Sequence, residues 1–274
     1  MKAVVCGALV LSAVFFWQSK AGADCSRRYF VFGEQAVVFG DRVEIGRGPV
    51  AAGQTAELGV NTRMQGDLAA PAITLRNDAV LNGTAFSAGP VNLSPGAKIL
   101  IRTLPLGPEH DCEPPGVPTI TPGTGSELID EPFELPPGQY GNLTVGVGAT
   151  LAVTTGEYHF ESLTFEPDTR LVIVWQGGPA RLLANGFVMF GDRHEQMVIG
   201  GGGKVSVGAE IVSRQTTQLR LGTDATILSR IVAPYAEVNV PSRTTVRAPL
   251  YGKVVRVEPD SIIGKPYTAP TACE

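Results

Sequence analysis

Four consecutive charged or polar residues, Asp192, Arg193, His194 and Glu195, form the best catalytic candidate of this 274-residue chain. They lie in an irregular stretch, residues 176–203, which ends in four consecutive glycines. Polysaccharide lyases and hydrolases built on parallel β-helices need carboxylates and a basic residue in a lateral groove. A glycosidase places its two carboxylates about 5 to 10 Å apart across the scissile bond, so a bend of the loop would have to bring Asp192 and Glu195 together. One hypothesis is therefore an enzyme that cleaves polysaccharide.

A polar turn is the alternative interpretation of the same four residues. Arg193 and Glu195 would then form a surface ion pair, which contributes little to stability. A groove built from stacked repeats would carry a second acidic cluster one repeat away, and the sequence has none. The glycines do not form a phosphate-binding loop, because no Lys-Ser/Thr pair and no βαβ context follow them. We favour the turn, and the sequence assigns no cofactor.

A second polar cluster, Glu109, His110, Asp111, Cys112 and Glu113, contains side chains of the kinds that bind metal ions. Adjacent residues in an irregular loop rarely converge on one ion, and only Cys112 is a good soft ligand. A solvated acidic loop is the favoured interpretation, and no metal site is predicted.

The elements that would position these residues follow from a nine-residue repeat. Its positions 1, 3 and 9 are aliphatic, position 7 is small or β-branched, and positions 4 to 6 are polar or turn-forming. Because side chains alternate along a strand, positions 1 and 3 point to one face, and after the corner positions 7 and 9 point inward again. Copies begin at Val37, Ala56, Ile73, Val91, Leu143, Leu163, Val205, Leu219, Val238 and Val255.

A repeat this short cannot bury its own apolar face, so its copies must stack. The copies from Val37 to Val91 are 19, 17 and 18 residues apart, and those from Leu219 to Val255 are 19 and 17 apart. The predicted fold class is all-β: a single-domain parallel β-solenoid with about 17–20 residues per coil and coils about 4.8 Å apart. The inward positions predict a core that includes Leu143, Val145, Leu163, Phe165, Leu219, Leu221, Ile227, Val238, Val240, Val255 and Val257.

The N-terminus has the features of a Sec-type secretory signal: Lys2, an apolar run of about 14 residues and an Ala21-Gly22-Ala23 cleavage site. That run is short of the roughly 20 residues a membrane anchor needs, so we expect a secreted or cell-envelope protein with no membrane span after signal removal. The predicted organisation is a signal peptide (1–23), an N-terminal cap (24–36), a first solenoid block (37–103), a Pro-rich exposed loop (104–138), a second block (139–265) and a C-terminal tail (266–274).

Three cysteines remain after the signal: Cys25, Cys112 and Cys273. In an exported protein they are expected to be oxidised, and the absence of a C-x-x-C pair argues against a zinc or redox site. An extended C-terminal tail could reach about 50 Å back along the rod. We therefore predict the pair Cys112–Cys273 and leave Cys25 for another partner.

Charge argues against nucleic acid as a partner. Loss of Lys2 and Lys20 leaves 20 basic against 26 acidic residues, a net charge of −6, whereas nucleic-acid-binding surfaces are basic. The 54 Gly and Pro residues (33 plus 21) with 43% hydrophobic residues are typical of a turn-dense β protein, not of disorder.

Part of the second block resembles a known family. The run LPPGQYGNLTV from Leu135, the turn Gly156–Phe160 and the later VAPYAEVNV resemble a β-helical domain of secreted or surface proteins of bacteria. The resemblance covers roughly residues 135–265 and implies a right-handed β-helix but no activity. The stacking of the coils is also similar to that of the bactofilins, which are cytoplasmic and lack a signal peptide, so no cytoskeletal role is implied.

The predicted function is that of a non-enzymatic, exported structural or surface protein: an envelope, matrix or adhesion-type scaffold. Its expected partners are itself or a cell-envelope or extracellular polysaccharide. The alternatives are a polysaccharide lyase or glycoside hydrolase of the β-helix type, and a carbohydrate-binding module. An ice-binding solenoid is set aside, because the Thr-Thr pairs are irregularly spaced and form no Thr-x-Thr ladder.

Overall fold

The computed structural model describes residues 24–110, 112–200 and 208–264. In these ranges the regular secondary structure is nearly all strand, with one short helix, α1 (Cys25–Arg28), and one 3₁₀ turn (Pro108–His110). The strands form a 17-stranded and an 11-stranded sheet in which neighbours run parallel.

The strands in chain order are β1 (Val31–Phe39), β2 (Glu44–Ile45), β3 (Val50–Ala52), β4 (Thr55–Leu58), β5 (Arg63–Gln65), β6 (Leu68–Ala69), β7 (Ala72–Leu75), β8 (Val80–Asn82), β9 (Thr84–Ser87), β10 (Val91–Leu93), β11 (Lys98–Ile99), β12 (Arg102–Pro105), β13 (Ser126–Ile129), β14 (Phe133–Leu135), β15 (Gly138–Val145), β16 (Thr150–Thr154), β17 (Gly156–Phe165), β18 (Arg170–Trp175), β19 (Ala180–Ala184), β20 (Val188–Phe190), β21 (Glu195–Gly200), β22 (Ala209–Ser213), β23 (Leu219–Arg220), β24 (Thr226–Ile227), β25 (Arg230–Val240), β26 (Thr245–Val246), β27 (Leu250–Val257) and β28 (Ile262–Ile263).

The strand segments line up in three rows. Row A contains the segment Val31–Gly33 and its partners, row B contains Ala36–Phe39 and its partners, and row C contains β2 and its partners. Rows A and B belong to the larger sheet, and row C is the smaller one. One passage of the chain through the three rows is called a coil below.

The coils do not lie in sequence order, because the first described coil sits in the middle of the rows. In row B, Val37 faces Ala56 on one side and Val255 on the other. In row C, Ile45 faces Met64 and Ile263. The chain therefore forms two stacks: an N-stack (residues 31–105) and a C-stack (residues 126–263). They meet at a seam, where β1 pairs with β27 and β2 pairs with β28.

Both stacks advance in the same direction along the rows, and the seam continues this advance. The first positions of the repeat in row B therefore follow one another in the order Glu127, Leu143, Leu163, Val188, Leu219, Val238, Val255, Val37, Ala56, Ile73 and Val91. The sequence predicted that the loop after residue 103 leaves between two adjacent coils. Instead, the coils before and after it lie at opposite ends of the rows, because the seam joins the first coil to the last.

Several side chains fix the seam besides the backbone pairing. The rings of Phe32 and Tyr251 stack with their centroids 5.3 Å apart. The Tyr251 hydroxyl donates a hydrogen bond of 2.7 Å to Glu34, and burial together with this bond raises the pKa of Tyr251. On the opposite side of the coil, Arg42 binds Asp260.

Residues 106–125, called the strap, return the chain from the end of the N-stack to the start of the C-stack. The strap and the residues before β1 cover the outward side chains of row A. These outward side chains are apolar, whereas the outward side chains of most surface strands are polar. Covering residues in these clusters are Tyr29, Cys25, Leu106, Cys112, Val117 and Ile120. The covered residues of row A are Phe86, Ala69, Ala51, Phe32, Tyr251, Val232, Val212 and Leu183.

Hydrogen bonds fasten the far end of the strap to the C-stack. The Thr121 amide donates to Nδ1 of His159 (3.3 Å), and Gln139 donates to the Thr121 hydroxyl (3.2 Å). The Gly123 amide donates to the carbonyl of Tyr140 (3.0 Å). The Pro-rich segment 104–138 was predicted to be an exposed loop with no central strand. It contains β13 and β14, which have no proline of their own, and each is the outermost strand of its row, paired on one side among the described residues.

The disulfide bond joins Cys25 to Cys112, with an S–S distance of 2.02 Å. The predicted pair Cys112–Cys273 is therefore wrong for Cys112. The reason is the path of the strap: it passes over α1, and the Cys25 amide donates to the Glu113 carbonyl at 3.0 Å beside the disulfide. Cys273 and the rest of the C-terminal tail lie outside the described residues, as does the signal segment 1–23.

The core fills the space between the three rows. Each of the eleven core residues predicted above is at most 1% exposed. The segment 31–36, predicted to be part of a cap, belongs to β1 and pairs on both sides. Its neighbour α1 lies on the outer surface of row A, where Cys25 and Tyr29 are buried.

Candidate functional site

The four candidate residues lie at the corner where the chain passes from row B to row C. In most coils this corner contains a residue with positive φ, a conformation that is uncommon for residues other than glycine. The non-glycine residues are Arg42, Asn61, Asp78, Asp168, Arg193, Asp224, Arg243 and Asp260, with φ between 56° and 63°. Arg193 is therefore one member of a structural series.

Six of these corner residues alternate in charge across six consecutive coils, and we call them the corner ladder. In spatial order they are Asp168, Arg193, Asp224, Arg243, Asp260 and Arg42.

Three bidentate ion pairs hold the corner ladder together. Arg193 donates to Asp168 (2.5 and 2.6 Å), Arg243 donates to Asp224 (2.7 and 2.8 Å), and Arg42 donates to Asp260 (2.6 and 2.8 Å). These hydrogen bonds lower the pKa of each aspartate. The Arg42–Asp260 pair crosses the seam, so the contact between coils at the seam is of the same kind as at the other boundaries.

Asp192 also bonds to a neighbouring coil. Its Oδ1 accepts hydrogen bonds from the Thr223 amide (2.9 Å) and from Arg220 (3.1 Å). Asp41 has the same role at its own corner, where it accepts from the Val60 amide at 2.8 Å. The Asp192 carboxylate therefore supports the corner of the next coil.

Glu195 lies on the outer side of row C and pairs with Arg170 at 3.0 Å. Both side chains are about half exposed, 47% and 50%. Asp192 and Glu195 thus have different partners in different coils, Arg220 and Arg170. The two carboxylates are not brought together around a common groove.

His194 is fully buried at position 7 of the repeat. Its ring lies 4.7 Å from that of Phe165 and 4.9 Å from that of Phe190. Nδ1 is 2.9 Å from the Thr169 hydroxyl, which itself donates to the Glu166 carbonyl at 2.8 Å. The Thr169 hydroxyl has one proton, which it donates to the Glu166 carbonyl, so it can only accept a hydrogen bond from His194. The imidazole is therefore the neutral tautomer with the proton on Nδ1.

Burial lowers the pKa of His194 to about 3. A neutral imidazole that no solvent reaches cannot exchange protons with a substrate at the surface. In its position the imidazole fills space in the core next to the two phenylalanines. Of the four candidates, His194 is therefore the one whose environment is least compatible with catalysis.

The candidate cluster belongs to a copy of the repeat that the sequence analysis did not find. VMFGDRHEQ starts at Val188, which faces Leu163 in row B. This copy does not match the repeat pattern, because His194 stands at position 7 and Gln196 at position 9, where the pattern has a small or β-branched residue and an aliphatic residue. Gln196 is buried and accepts from the Leu228 and Ser229 amides (both 2.8 Å) and from the Ser229 hydroxyl (2.7 Å). In the sequence, this copy could have been found from Gly191, which has the same corner position as Gly40, Gly59 and Gly222. The copy predicted at Val205 begins outside the described residues.

Residues of the second polar cluster, 109–113, have other partners. Cys112 is oxidised, and the Tyr29 hydroxyl lies 3.1 Å from Nδ1 of His110. Asp111 lies outside the described residues. Within the described ranges, no three His, Cys, Asp or Glu side chains come together as metal ligands.

A second charge ladder runs along row A beside the strap, and the sequence analysis missed it. Arg181 binds Glu157 and, at 3.2 Å, Glu210. Arg230 binds Glu210 at 3.3 Å and Asp24 at 3.7 Å. This side ladder is less exposed than the corner ladder, since Arg230 is only 16% exposed and Glu210 22%. It extends the alternation of charge to the residue before α1.

Two clefts of the molecule lie away from the four candidates. One, of about 470 Å³, is at the seam and is lined by Glu44, Arg47, Arg63 and Gly264 among others. The other, of about 540 Å³, is formed by residues 127–133 at the outermost coil of the C-stack.

Comparison with protein-family models, with curated proteins and with solved structures gives no match. Within the part of the chain that the structure describes, no helix has the length and apolar character needed to cross a membrane. The disulfide is consistent with an extracellular or periplasmic protein.

Proposed function

We propose that the three rows are the faces of one β-solenoid and that the chain works as an exported, non-enzymatic structural rod. In this proposal a coil has about 17–20 residues, more where turns are longer, and the handedness is right-handed, as the resemblance to bacterial surface β-helices implies. The rod would be an envelope, matrix or adhesion-type scaffold outside the cytoplasm.

The observation that carries the proposal is the use of the charged side chains. The three charged residues of the candidate catalytic cluster form ion pairs with neighbouring coils: Asp192 with Arg220, Arg193 with Asp168, and Glu195 with Arg170. The corner ladder continues these contacts across the seam. Charges used in this way resist shear between coils, and Asp192, Arg193 and Glu195 line neither of the two clefts described above.

Export is supported by two features. The disulfide joins residues on either side of the N-stack, 87 positions apart, and such bonds persist in oxidising compartments. The N-terminal segment has the pattern of a Sec-type signal. The resemblance of residues 135–265 to surface β-helical domains agrees with the same location.

Two experiments test this function. Small-angle scattering of the purified protein should give an elongated particle, and antibody labelling of the source cells should place the protein outside the cytoplasmic membrane. A compact scattering profile, or labelling confined to the cytoplasm, would overturn the proposal.

A polysaccharide-cleavage assay tests the rival. Release of reducing ends from acidic and neutral polysaccharides should be absent for both the parent protein and the double variant Asp192→Asn/Glu195→Gln. Release by the parent and none by the variant would instead identify an enzyme with these two carboxylates at its centre.

A further inference from the structure

The rows of strands end differently at the two ends of the molecule. At one end the outermost strands of rows B and C are β10 and β11, and β12 ends row A. At the other end the outermost strands of rows B and C are β13 and β14. Each of these strands pairs on one side only, among the described residues. An unpaired strand edge offers free amide and carbonyl groups to another chain.

The two ends carry opposite charge. Residues 88–105 contain Lys98 and Arg102 and no acidic residue, and both side chains are exposed. We call this surface the basic end. Residues 124–137 contain four exposed acidic residues and no basic residue, and we call this surface the acidic end; its carboxylates are Glu127, Asp130, Glu131 and Glu134.

These terminal charges have no ion-pair partner within the described ranges. Along the middle of the molecule, by contrast, the charges of neighbouring coils form the corner ladder and the side ladder. The ends therefore lack the kind of partner that the interior coils supply to one another.

Large apolar side chains are also exposed at both ends. At the basic end Leu93, Leu100 and Ile101 are 51%, 55% and 61% exposed. At the acidic end Leu128 and Phe133 are 63% and 49% exposed. Burial of such side chains is the main favourable contribution to protein association.

The direction of the chain makes the two ends compatible with each other. The coils advance from residue 126 to residue 263 and, across the seam, from residue 31 to residue 105. A second copy whose acidic end sits on the basic end continues this advance without any change of strand direction. Two inward positions of the repeat then bring apolar side chains together: Leu93 lies over Ile129, and Ile99 lies over Phe133.

We propose that the acidic end of one molecule binds the basic end of a second copy by parallel strand addition. The inference rests on the proposed rod and names its partner. The contact is heterologous, so it does not close into a dimer, and repetition of it produces a polar filament. Opposite charge selects the head-to-tail orientation, since like ends repel each other.

The first test is sedimentation velocity of the purified, oxidised protein over a range of concentrations. The average mass should rise with concentration, without levelling off at a dimer. It should also depend on salt, because screening shortens the reach of charge from about 10 Å at 0.1 M to about 3 Å at 1 M. A protein that stays monomeric at every concentration and at both salt levels would overturn the proposal.

The second test alters the charge of each end separately. Lys98→Glu/Arg102→Glu makes both ends acidic, and Glu131→Lys/Glu134→Lys leaves the acidic end with two acidic and two basic side chains and therefore no net charge. Each variant alone should associate at least tenfold more weakly than the parent protein. An equimolar mixture should recover association, because the unaltered acidic end of the first variant meets the unaltered basic end of the second.

A matched control carries the same change of charge on the side of the molecule. Arg47→Glu/Arg63→Glu alters two exposed arginines that line the cleft at the seam, away from both ends, and should associate like the parent. Recovery in the mixture cannot come from misfolding, which would weaken the mixture as well. Parent-like association of either end variant alone, or no recovery in the mixture, would overturn the proposed contact. An elongated monomer that never associates would refute the contact and leave the proposed rod intact.

Discussion

The imidazole of His194 lies in the core at a position where adjacent coils have Thr169 and Ala225. Its Nδ1–H is satisfied by Thr169, while Nε2 has no hydrogen-bond partner among the described residues. Protonation would place a buried charge beside the rings of Phe165 and Phe190. The residue therefore makes the fold sensitive to acid, and no catalytic role is needed to explain its environment.

We predict that His194 gives the folding free energy a pH dependence below pH 6.5. The unfolded chain takes up a proton near the ordinary pKa of 6.5, whereas the folded state resists protonation down to about 3. The contribution of neutral His194 to the free energy of unfolding is therefore fully present above pH 6.5 and decreases as the pH falls. The limiting slope of this free energy is about 1.4 kcal/mol per pH unit. Denaturant unfolding at pH 7.5, 6.0, 5.0 and 4.5 measures this slope.

The control for this prediction is His194→Ala, since alanine occupies the same position in other coils. The variant should be less stable at pH 7.5, because it leaves a cavity, but its stability should change less between pH 6.5 and 4.5. Asp168, Asp224 and Asp260 do not interfere, because their lowered pKa values move their own loss of stability below pH 3.8. Equal slopes in parent and variant would contradict the prediction.

Leu221 tests the inward side of row B. It is fully buried at position 3 of its repeat, so Leu221→Asp places an unpaired carboxylate in the core and should cost about 4 kcal/mol or more. Thr164→Asp puts the same group on the outward side of row B and should cost less than about 1 kcal/mol. Thermal unfolding of the two variants makes the comparison. Similar melting temperatures would mean that the assigned inward face is wrong.

The strap is the element that makes the discontinuous order of coils possible. It returns the chain along row A, covers apolar side chains there, and is fixed to α1 by the Cys25–Cys112 disulfide. Without the strap the outward faces of Val212 and Tyr251 would be exposed to water. The strap and α1 are therefore parts of the core's outer layer in spite of their irregular backbone.

We predict that Cys25→Ser/Cys112→Ser loosens the strap before it affects the rows. A loop of 87 residues is closed by this bond, and loss of such a cross-link costs about 4.6 kcal/mol in the chain-entropy model. Limited proteolysis should cut the variant within residues 106–125 faster than the oxidised parent. The parent treated with a reductant should behave like the variant. Cleavage that begins in the rows would show that the strap is not the less stable element.

The corner ladder allows the seam to be compared with an ordinary coil boundary. Arg42→Gln removes the pair across the seam, and Arg193→Gln removes the equivalent pair inside the C-stack. Both pairs are exposed, so each variant should lower the melting temperature by no more than about 4 °C, and the decrease should vanish in 1 M salt. A decrease for Arg193→Gln but none for Arg42→Gln would mean that the seam pair does not form in solution.

The sequence predicted the local alignment of strands better than their global order. Val37, Ala56, Ile73 and Val91 were aligned by the repeat, and they face one another in row B. The order could not be predicted, because all copies present the same apolar and turn residues to both neighbours. Sequence spacing suggests that consecutive copies stack, and the seam becomes visible in the structure through the pairing of β1 with β27 and of β2 with β28.

The candidate site was predicted less well, for a different physical reason. Charged side chains at a corner look the same in sequence whether they line a groove or bind the coil next to them. His194 and Gln196 hid the repeat because polar groups can occupy the core when the neighbouring coil supplies a hydrogen-bond partner, as Thr169 and Ser229 do. The predicted partner of Cys112 was wrong, because the path of the strap over α1 could not be inferred from the sequence.

At the scale of the whole molecule, the central claim is that the first coil lies beside the last one. Cysteine cross-linking in a Cys273→Ser background tests it directly with two pairs. Val38→Cys/Arg256→Cys probes facing residues at the seam, whose separation of about 4.8 Å suits a disulfide. Asn92→Cys/Leu128→Cys probes residues that would be neighbours within one molecule only if the coils stacked in sequence order.

Oxidation at low protein concentration, followed by peptide mapping of the monomer, gives the answer. The seam predicts an intramolecular disulfide between positions 38 and 256, and none between positions 92 and 128. A disulfide within one molecule between positions 92 and 128, with none between 38 and 256, would contradict the order of coils described here.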